Sequence, residues 1–183
     1  MNYREIYNQY YAKVRKFVLA SVKNEWVADD VVQETFVRIQ ENLDSVKDSS
    51  RISSWIFRIA YNLCQDHFRQ SARSSPREGI SQERMEASKE ASIQKELEQR
   101  QMGQCVQGHM SLLPESLRTV LILYDIMDFS HQEIAEILGT TIENTKVRLH
   151  RARKRFKVIL EEQCAFEVDE RSVLVCEPTG KTQ

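Results

Sequence analysis

Apolar positions along the first 70 residues recur at helical spacing. Ile6, Tyr10, Val14, Phe17 and Val18 form one series, and Val32, Phe36, Ile39 and Leu43 a second. Ile56, Ala60, Leu63, Cys64 and His67 or Phe68 form a third. Spacings of three and four place each set on one helix face. Breaks fall at Lys23-Asn24-Glu25 and across residues 44–50, where Asp and Ser favour turns and helix caps. Three helices sharing an apolar side predict a compact helical domain over residues 1–70.

The pattern then lapses. Between Phe68 and Tyr124 there is no aromatic residue, and residues 71–91 are rich in Ser, Arg and Glu. Ordering such a stretch costs more than its burial returns, so it is expected to be a flexible linker. Periodicity resumes with Ile93, Leu97, Cys105, Val106 and Met110. Pro114 suits the first turn of a new helix carrying Leu117, Val120, Leu121 and Tyr124.

The densest local signal follows. Ser130 and Glu133 have capping-box spacing, ahead of Ile134, Ala135 and Leu138. Gly139 can take the positive φ that ends a helix. Thr140 and Glu143 form a second capping signature. Ile142, Thr145, Leu149, Ala152, Phe156 and Ile159 then make the buried stripe of a long helix. Helix, tight turn and second helix is the layout that lodges a helix in the DNA major groove. The other side of that helix carries Lys146, Arg148, Arg151, Arg153, Lys154, Arg155 and Lys157, with no acid from Asn144 to Leu160. Cations towards phosphates and donors towards base edges are what groove docking needs. Thr141, Asn144 and Thr145, near the helix start, are short and polar enough to meet bases or phosphates. Beyond residue 160, Phe166-Glu167-Val168 and Val173-Leu174-Val175 flank Asp169-Glu170-Arg171-Ser172, the pattern of a short hairpin.

Composition narrows the choice. Only 5 glycines and 3 prolines argue for long helices over a many-stranded fold. The net charge of -1 makes the basic stripe a local segregation rather than a general trend. No apolar run approaches a membrane span, and the start lacks the apolar core of a signal peptide. Four cysteines without a CxxC pair suit a reduced, cytoplasmic protein with no membrane insertion. The predicted fold class is all-α: two small helical domains joined by a flexible linker, the second ending in a helix-turn-helix, plus a short β-hairpin-like tail. The bounds are 1–70, 71–91 (linker), 92–160 and 161–183.

Two stretches at opposite ends of the chain resemble one family. Residues 28–36, Ala-Asp-Asp-Val-Val-Gln-Glu-Thr-Phe, resemble the acidic core-binding helix of bacterial sigma factors, and residues 53–62 resemble the helix that follows it. Residues 112–115, 134–139 and 146–153 resemble the terminal domain. The short two-domain form resembles the extracytoplasmic-function (ECF) sigma factors of the sigma-70 superfamily. That resemblance implies an alternative sigma factor that binds core RNA polymerase, directs it to specific promoters, helps open the DNA and then leaves. It implies promoter DNA, core polymerase and an anti-sigma factor as partners, and no cofactor, no metal and no catalytic residue. It implies that Asp30, Gln33 and Glu34 face a coiled-coil element of the largest core subunit, an acidic edge beside apolar Val31 and Phe36. It assigns minus-ten recognition to Arg51, Ser54, Trp55, Arg58 and Asn62, with Arg69 near phosphates. For Trp55, DNA contact and packing between helices stand side by side. Minus-thirty-five recognition falls to Thr141, Asn144, Thr145, Lys146, Arg148 and Arg151.

A stand-alone helix-turn-helix regulator with an N-terminal sensor or dimerisation domain is the alternative, though it has no need of a core-binding helix. An enzyme is set aside: there is no paired-carboxylate, nucleophile–histidine or phosphate-loop arrangement. The tail departs from the family pattern. It holds six acids, Glu161, Glu162, Glu167, Asp169, Glu170 and Glu177, against Arg171 and Lys181. Structural cap, lid over the basic helix, and thiol or metal sensor compete, with cap or lid preferred. Cys164 and Cys176 bracket the hairpin but do not complete a zinc site. His109, His131 or His150 would have to join them. Cys64 and Cys105, on apolar helix faces, are expected to be core residues.

Overall fold

The computed structural model describes residues 2–46, 48–74, 105–106, 108–168 and 174–178. Two compact units emerge, one formed by Met1–Gly79 with Thr119–Leu149, the other by Ile80–Arg118 with His150–Gln183. This spatial grouping differs from the sequential division 1–70, 71–91, 92–160 and 161–183, because the middle of the second helical region packs on the N-terminal helices.

In the first unit α1 spans Tyr3–Val22 and α2 spans Glu25–Asn42. Asn2 and Glu5 form a reciprocal capping box, each side chain accepting from the other's backbone N–H at 2.9 Å. Asn24 caps α2 by accepting from Val27 N at 3.1 Å. Short 3-10 turns at Leu43–Ser45 and Ser49–Arg51 lead into α3, Ile52–Ser74. Helix α3 therefore includes residues 71–74 of the expected linker; residues 75–91 lie outside the described residues. Ile6, Val14, Phe17, Val18, Val32, Ile39, Ile56 and Ala60 are all essentially inaccessible, which is the stripe the periodicity picks out. Phe57 joins the halves of this core. Its ring meets Phe17 edge-on at 5.5 Å and Phe129 at 4.7 Å, a favoured aromatic geometry.

Helix α4, Glu115–Leu121, runs into a π-helical turn, Ile122–Ile126, in which Met127 N donates to Ile122 O at 3.0 Å. Asp128, in the left-handed region at φ 59°, turns the chain into Phe129. Helix α5, His131–Leu138, opens with the expected capping box, Ser130 with Glu133, and closes on Gly139 at φ 63°. A side chain there would have room, since its Cβ would stand 3.8 Å from Arg58 Nη2. The glycine is required by the left-handed backbone, not by crowding.

Helix α6, Ile142–Gln163, spans both units. Its cap is Thr141, whose hydroxyl accepts from Asn144 N at 3.1 Å, one residue later than the Thr140–Glu143 signature. Thr145, Leu149 and Ala152 are buried, but Ile142 is 36% exposed and Phe156 and Ile159 are half-buried. The predicted stripe thus holds in its middle and fades at both ends. Strand β1, Cys164–Val168, follows without a break and pairs antiparallel with β2, Leu174–Pro178. Cys164 stands opposite Pro178 and Phe166 opposite Cys176, so the two hairpin cysteines are not direct partners. Residues 169–173 and 179–183 of the tail lie outside the described residues.

Candidate nucleic-acid and partner interfaces

The start of α6 presents a linked row of polar groups. Asn144 donates from Nδ2 to Thr140 Oγ1 at 2.9 Å, and its Oδ1 accepts from Arg148 Nε at 3.0 Å. Each link spans one helical turn, so Arg148 is held along the exposed face instead of sweeping freely. Thr141, Asn144, Lys146 and Arg151 are exposed and Arg148 is partly so. Thr145 does not belong with them. It is wholly buried, with its hydroxyl donating to Thr141 O at 3.1 Å. A threonine can satisfy its own hydroxyl against the previous turn, which makes Thr145 a core residue and corrects its assignment to DNA.

The residues that resemble a minus-ten reader meet a carboxylate from α5. Arg51 Nη2 lies 2.8 Å from Glu136 Oε1, and Ser54 Oγ donates to Glu136 Oε2 at 2.8 Å. Ser54 is buried beneath this contact, and its Oγ also stands 3.1 Å from Arg51 O. Trp55, half-buried, and Arg58, exposed, line the same cavity of about 400 Å³. The Ser54 hydroxyl and then the Arg51 guanidinium hold the Glu136 carboxyl below the ordinary carboxylate range, against a smaller opposing effect of burial. Asn62 is exposed outside this cluster, and Arg69 pairs with Asp66 at 3.5 Å.

Asp30, Gln33 and Glu34 lie together on the exposed face of α2, with Glu34 paired to Arg38 at 2.8 Å. Their apolar neighbours are not those the sequence suggested. Val31 and Phe36 are 8% and 3% exposed and belong to the core. Trp26 is 84% exposed and Val37 43%. Residues 26, 30, 33 and 37 follow one helical stripe, so an indole, two polar groups and an isopropyl group share a face. The signal was present in the sequence: Trp26 and Val37 are out of phase with the buried positions 28, 32, 35 and 39. A lone exposed apolar residue is ordinary, but an exposed indole and isopropyl group on one stripe form the kind of apolar surface that contacts a partner.

The cysteines divide. Cys64 is buried in the core as expected. Cys105 is only half-buried and its sulfur stands 3.4 Å from His109 Nε2, which removes it from the list of plain core residues. Among the described residues no helix is long and apolar enough to cross a membrane.

Residues 6–74 match the family Sigma-70 region 2, and residues 104–156 match Sigma-70, region 4. The chain is 29% identical to the RNA polymerase sigma factor SigZ of Bacillus subtilis over 92% of its own length and 93% of that protein. It is 30% identical to the ECF RNA polymerase sigma factor SigM of the same organism, covering 87% of this chain and 95% of the relative. Among solved structures, the sigma factor RpoE in complex with the anti-sigma factor NepR from Bartonella quintana shares the fold. The TM-score is 0.68 at 21% identity, over 86% of this chain and 96% of that one. The region 2 match over residues 6–74 makes α1 to α3 a sigma-factor region instead of a sensor or dimerisation module, so the stand-alone regulator is not favoured. With both regions in order and relatives matched along nearly their whole length, the chain belongs to the ECF family of sigma-70 factors, alternative sigma subunits of RNA polymerase.

Proposed function

We propose that α2 docks the chain on core RNA polymerase through Trp26, Asp30, Gln33, Glu34 and Val37, and that α6 reads the minus-thirty-five element through Thr141, Asn144, Lys146, Arg148 and Arg151. The observation that carries this reading is the α6 face: a capped tight turn followed by exposed cations, with Arg148 braced by Asn144. The first stretch of helix after such a turn is the part that reaches base edges. The minus-ten element falls to Arg51, Ser54, Trp55, Arg58 and Asn62, with Arg69 on the backbone. The work is binding, not catalysis, and it takes place in the cytoplasm. An anti-sigma factor is a fitting partner, as NepR is for the Bartonella RpoE. Run-off transcription with purified core enzyme over a promoter library, with and without this chain, tests the reading. Discrete start sites that need the chain support it; none above core enzyme alone overturns it.

Glu136 occupies the Arg51 guanidinium and the Ser54 hydroxyl, so minus-ten DNA must displace it. An exposed ion pair contributes about 0–1 kcal/mol and a hydrogen bond about 0.5–1.5 kcal/mol. Glu136→Ala should therefore tighten binding of labelled single-stranded minus-ten DNA by roughly twofold to seventyfold in an anisotropy titration. Its carboxyl is depressed in the folded state, so the contact is intact at neutral pH and above the unfolded carboxylate range. It is lost only as pH falls through the lowered value. An unchanged affinity in Glu136→Ala would mean that the carboxylate does not compete with DNA.

A further inference from the structure

The second unit holds a cluster that the family resemblance does not assign. Cys105 Sγ and Cys164 Sγ lie 3.4 Å and 3.3 Å from the same atom, His109 Nε2. All three ligand atoms fall within 4.8 Å of one another. Cys105 and His109 are four apart on the helical stretch before α4, so they share one face and point the same way. Cys164 is the first residue beyond α6 and is nearly inaccessible, at 5% exposure. Cys164 is 55 residues beyond His109 in sequence, yet the fold brings two sulfurs and one imidazole nitrogen to a point.

Those separations match a known coordination geometry. Zinc holds thiolate sulfur at about 2.3 Å and imidazole nitrogen at about 2.0 Å in a tetrahedron. That arrangement sets sulfur and nitrogen about 3.5 Å apart, against the 3.4 Å and 3.3 Å found here. An exposed surface cluster offers no such convergence, and two thiolates with an imidazole are borderline-soft donors that suit zinc over magnesium or calcium. The hairpin register supplies the missing position. Phe166 pairs with Cys176 and Cys164 with Pro178. Residues paired across strands, or two apart along one, share a face, so the backbone register puts position 176 on the same face of the hairpin as position 164. Cys64 stands apart, in the helical core.

We propose that Cys105, His109, Cys164 and Cys176 form a structural zinc site that fastens the C-terminal hairpin, and with it the end of α6, to the helix preceding α4. Binding displaces the thiol protons to solvent and leaves the imidazole neutral. All four tetrahedral positions come from protein, so the ion is closed to water and serves as a clasp. The tail is then a metal-held cap on the promoter-reading helix, a role that neither charge attraction nor strand pairing alone would give it.

The test uses the full chain, purified under reducing conditions and desalted over a chelating resin. Elemental analysis should find one zinc per chain. Cobalt substitution should give the intense visible bands of a tetrahedral site and a sulfur-to-cobalt charge-transfer band sized for three thiolates. Cys105→Ser, His109→Ala and Cys164→Ser should each weaken zinc binding on the order of 100-fold. Cys64→Ala should keep the metal, and His109→Cys should restore it where His109→Ala loses it. That rescue separates a ligand role from a merely structural one. Chain without zinc and without a tetrahedral cobalt spectrum, or a Cys105–Cys164 disulfide in its place, would overturn the proposal. A charge-transfer band sized for two thiolates, unchanged in Cys176→Ser, would overturn the fourth ligand.

Discussion

Trp26→Ala, combined with Asp30→Arg and Glu34→Arg, should abolish measurable holoenzyme assembly while leaving the helical fold intact. The indole is 84% exposed and contributes almost nothing to the core, so its removal costs the free protein little. In an interface the same side chain becomes a large buried area. Aromatic anchors of this kind cost about 2 kcal/mol or more when truncated, which is roughly thirtyfold in affinity for Trp26→Ala alone. The two arginines add repulsion against a basic partner helix, a loss of attraction and a gain of opposition at the same place. Native gel shift of core polymerase measures assembly, and circular dichroism of the free chain measures the fold. Assembly at wild-type concentration would remove α2 from the interface.

Arg148→Ala with Arg151→Ala carries the second large effect, a loss of promoter binding by the assembled holoenzyme. The two arginines are expected to differ in kind. Arg148 is braced by Asn144, which is itself held by Thr140. A side chain with a fixed approach suits a base edge, and its loss costs about 1–3 kcal/mol and relaxes sequence preference at one position. Arg151 lies further along the exposed face and suits a phosphate, so its loss weakens all sequences alike and lowers the salt dependence by about one counterion. Asn144→Ala should reproduce part of the Arg148 effect without removing a charge. Filter binding across a salt series on matched and mismatched promoters separates the three. Identical salt slopes and identical specificities in all variants would contradict groove docking.

Local chemistry was legible along most of the chain. Ser130, Glu133 and Gly139 announce α5 and its turn because caps act over three or four residues and leave a fixed spacing. The buried stripes of α1 to α3 were legible for the same reason. Thr145 was ambiguous because a short polar side chain fits either a buried stripe or a polar face; only the hydroxyl bond to Thr141 O decides. Trp26 gives a weak local signal because it lies in the first turn of α2, beside the cap, where periodicity has barely begun. The Ser54–Glu136 contact joins positions 82 residues apart, and no window of local pattern reaches that far. Cys105 looked like an apolar helix position because cysteine packs as a small hydrophobe when nothing polar faces it. His109, one turn on, changes that, and Cys164 arrives only through the fold.

The π-helical turn at Ile122–Ile126 has a bearing on how such a chain can change length. Five residues there occupy the winding that an ordinary turn fills with about four. Elsewhere in these helices, removing a residue would rotate everything downstream by about 100° and swing buried side chains into water. Here the loss would relax the wide turn to an ordinary one and keep Val120 and Leu121 on one side and Phe129 on the other facing the core they already fill. The corner before the DNA-reading hairpin of helices is thus a place where an ancestral insertion could lodge without cost to the phase of its neighbours, and from which it could as readily be lost.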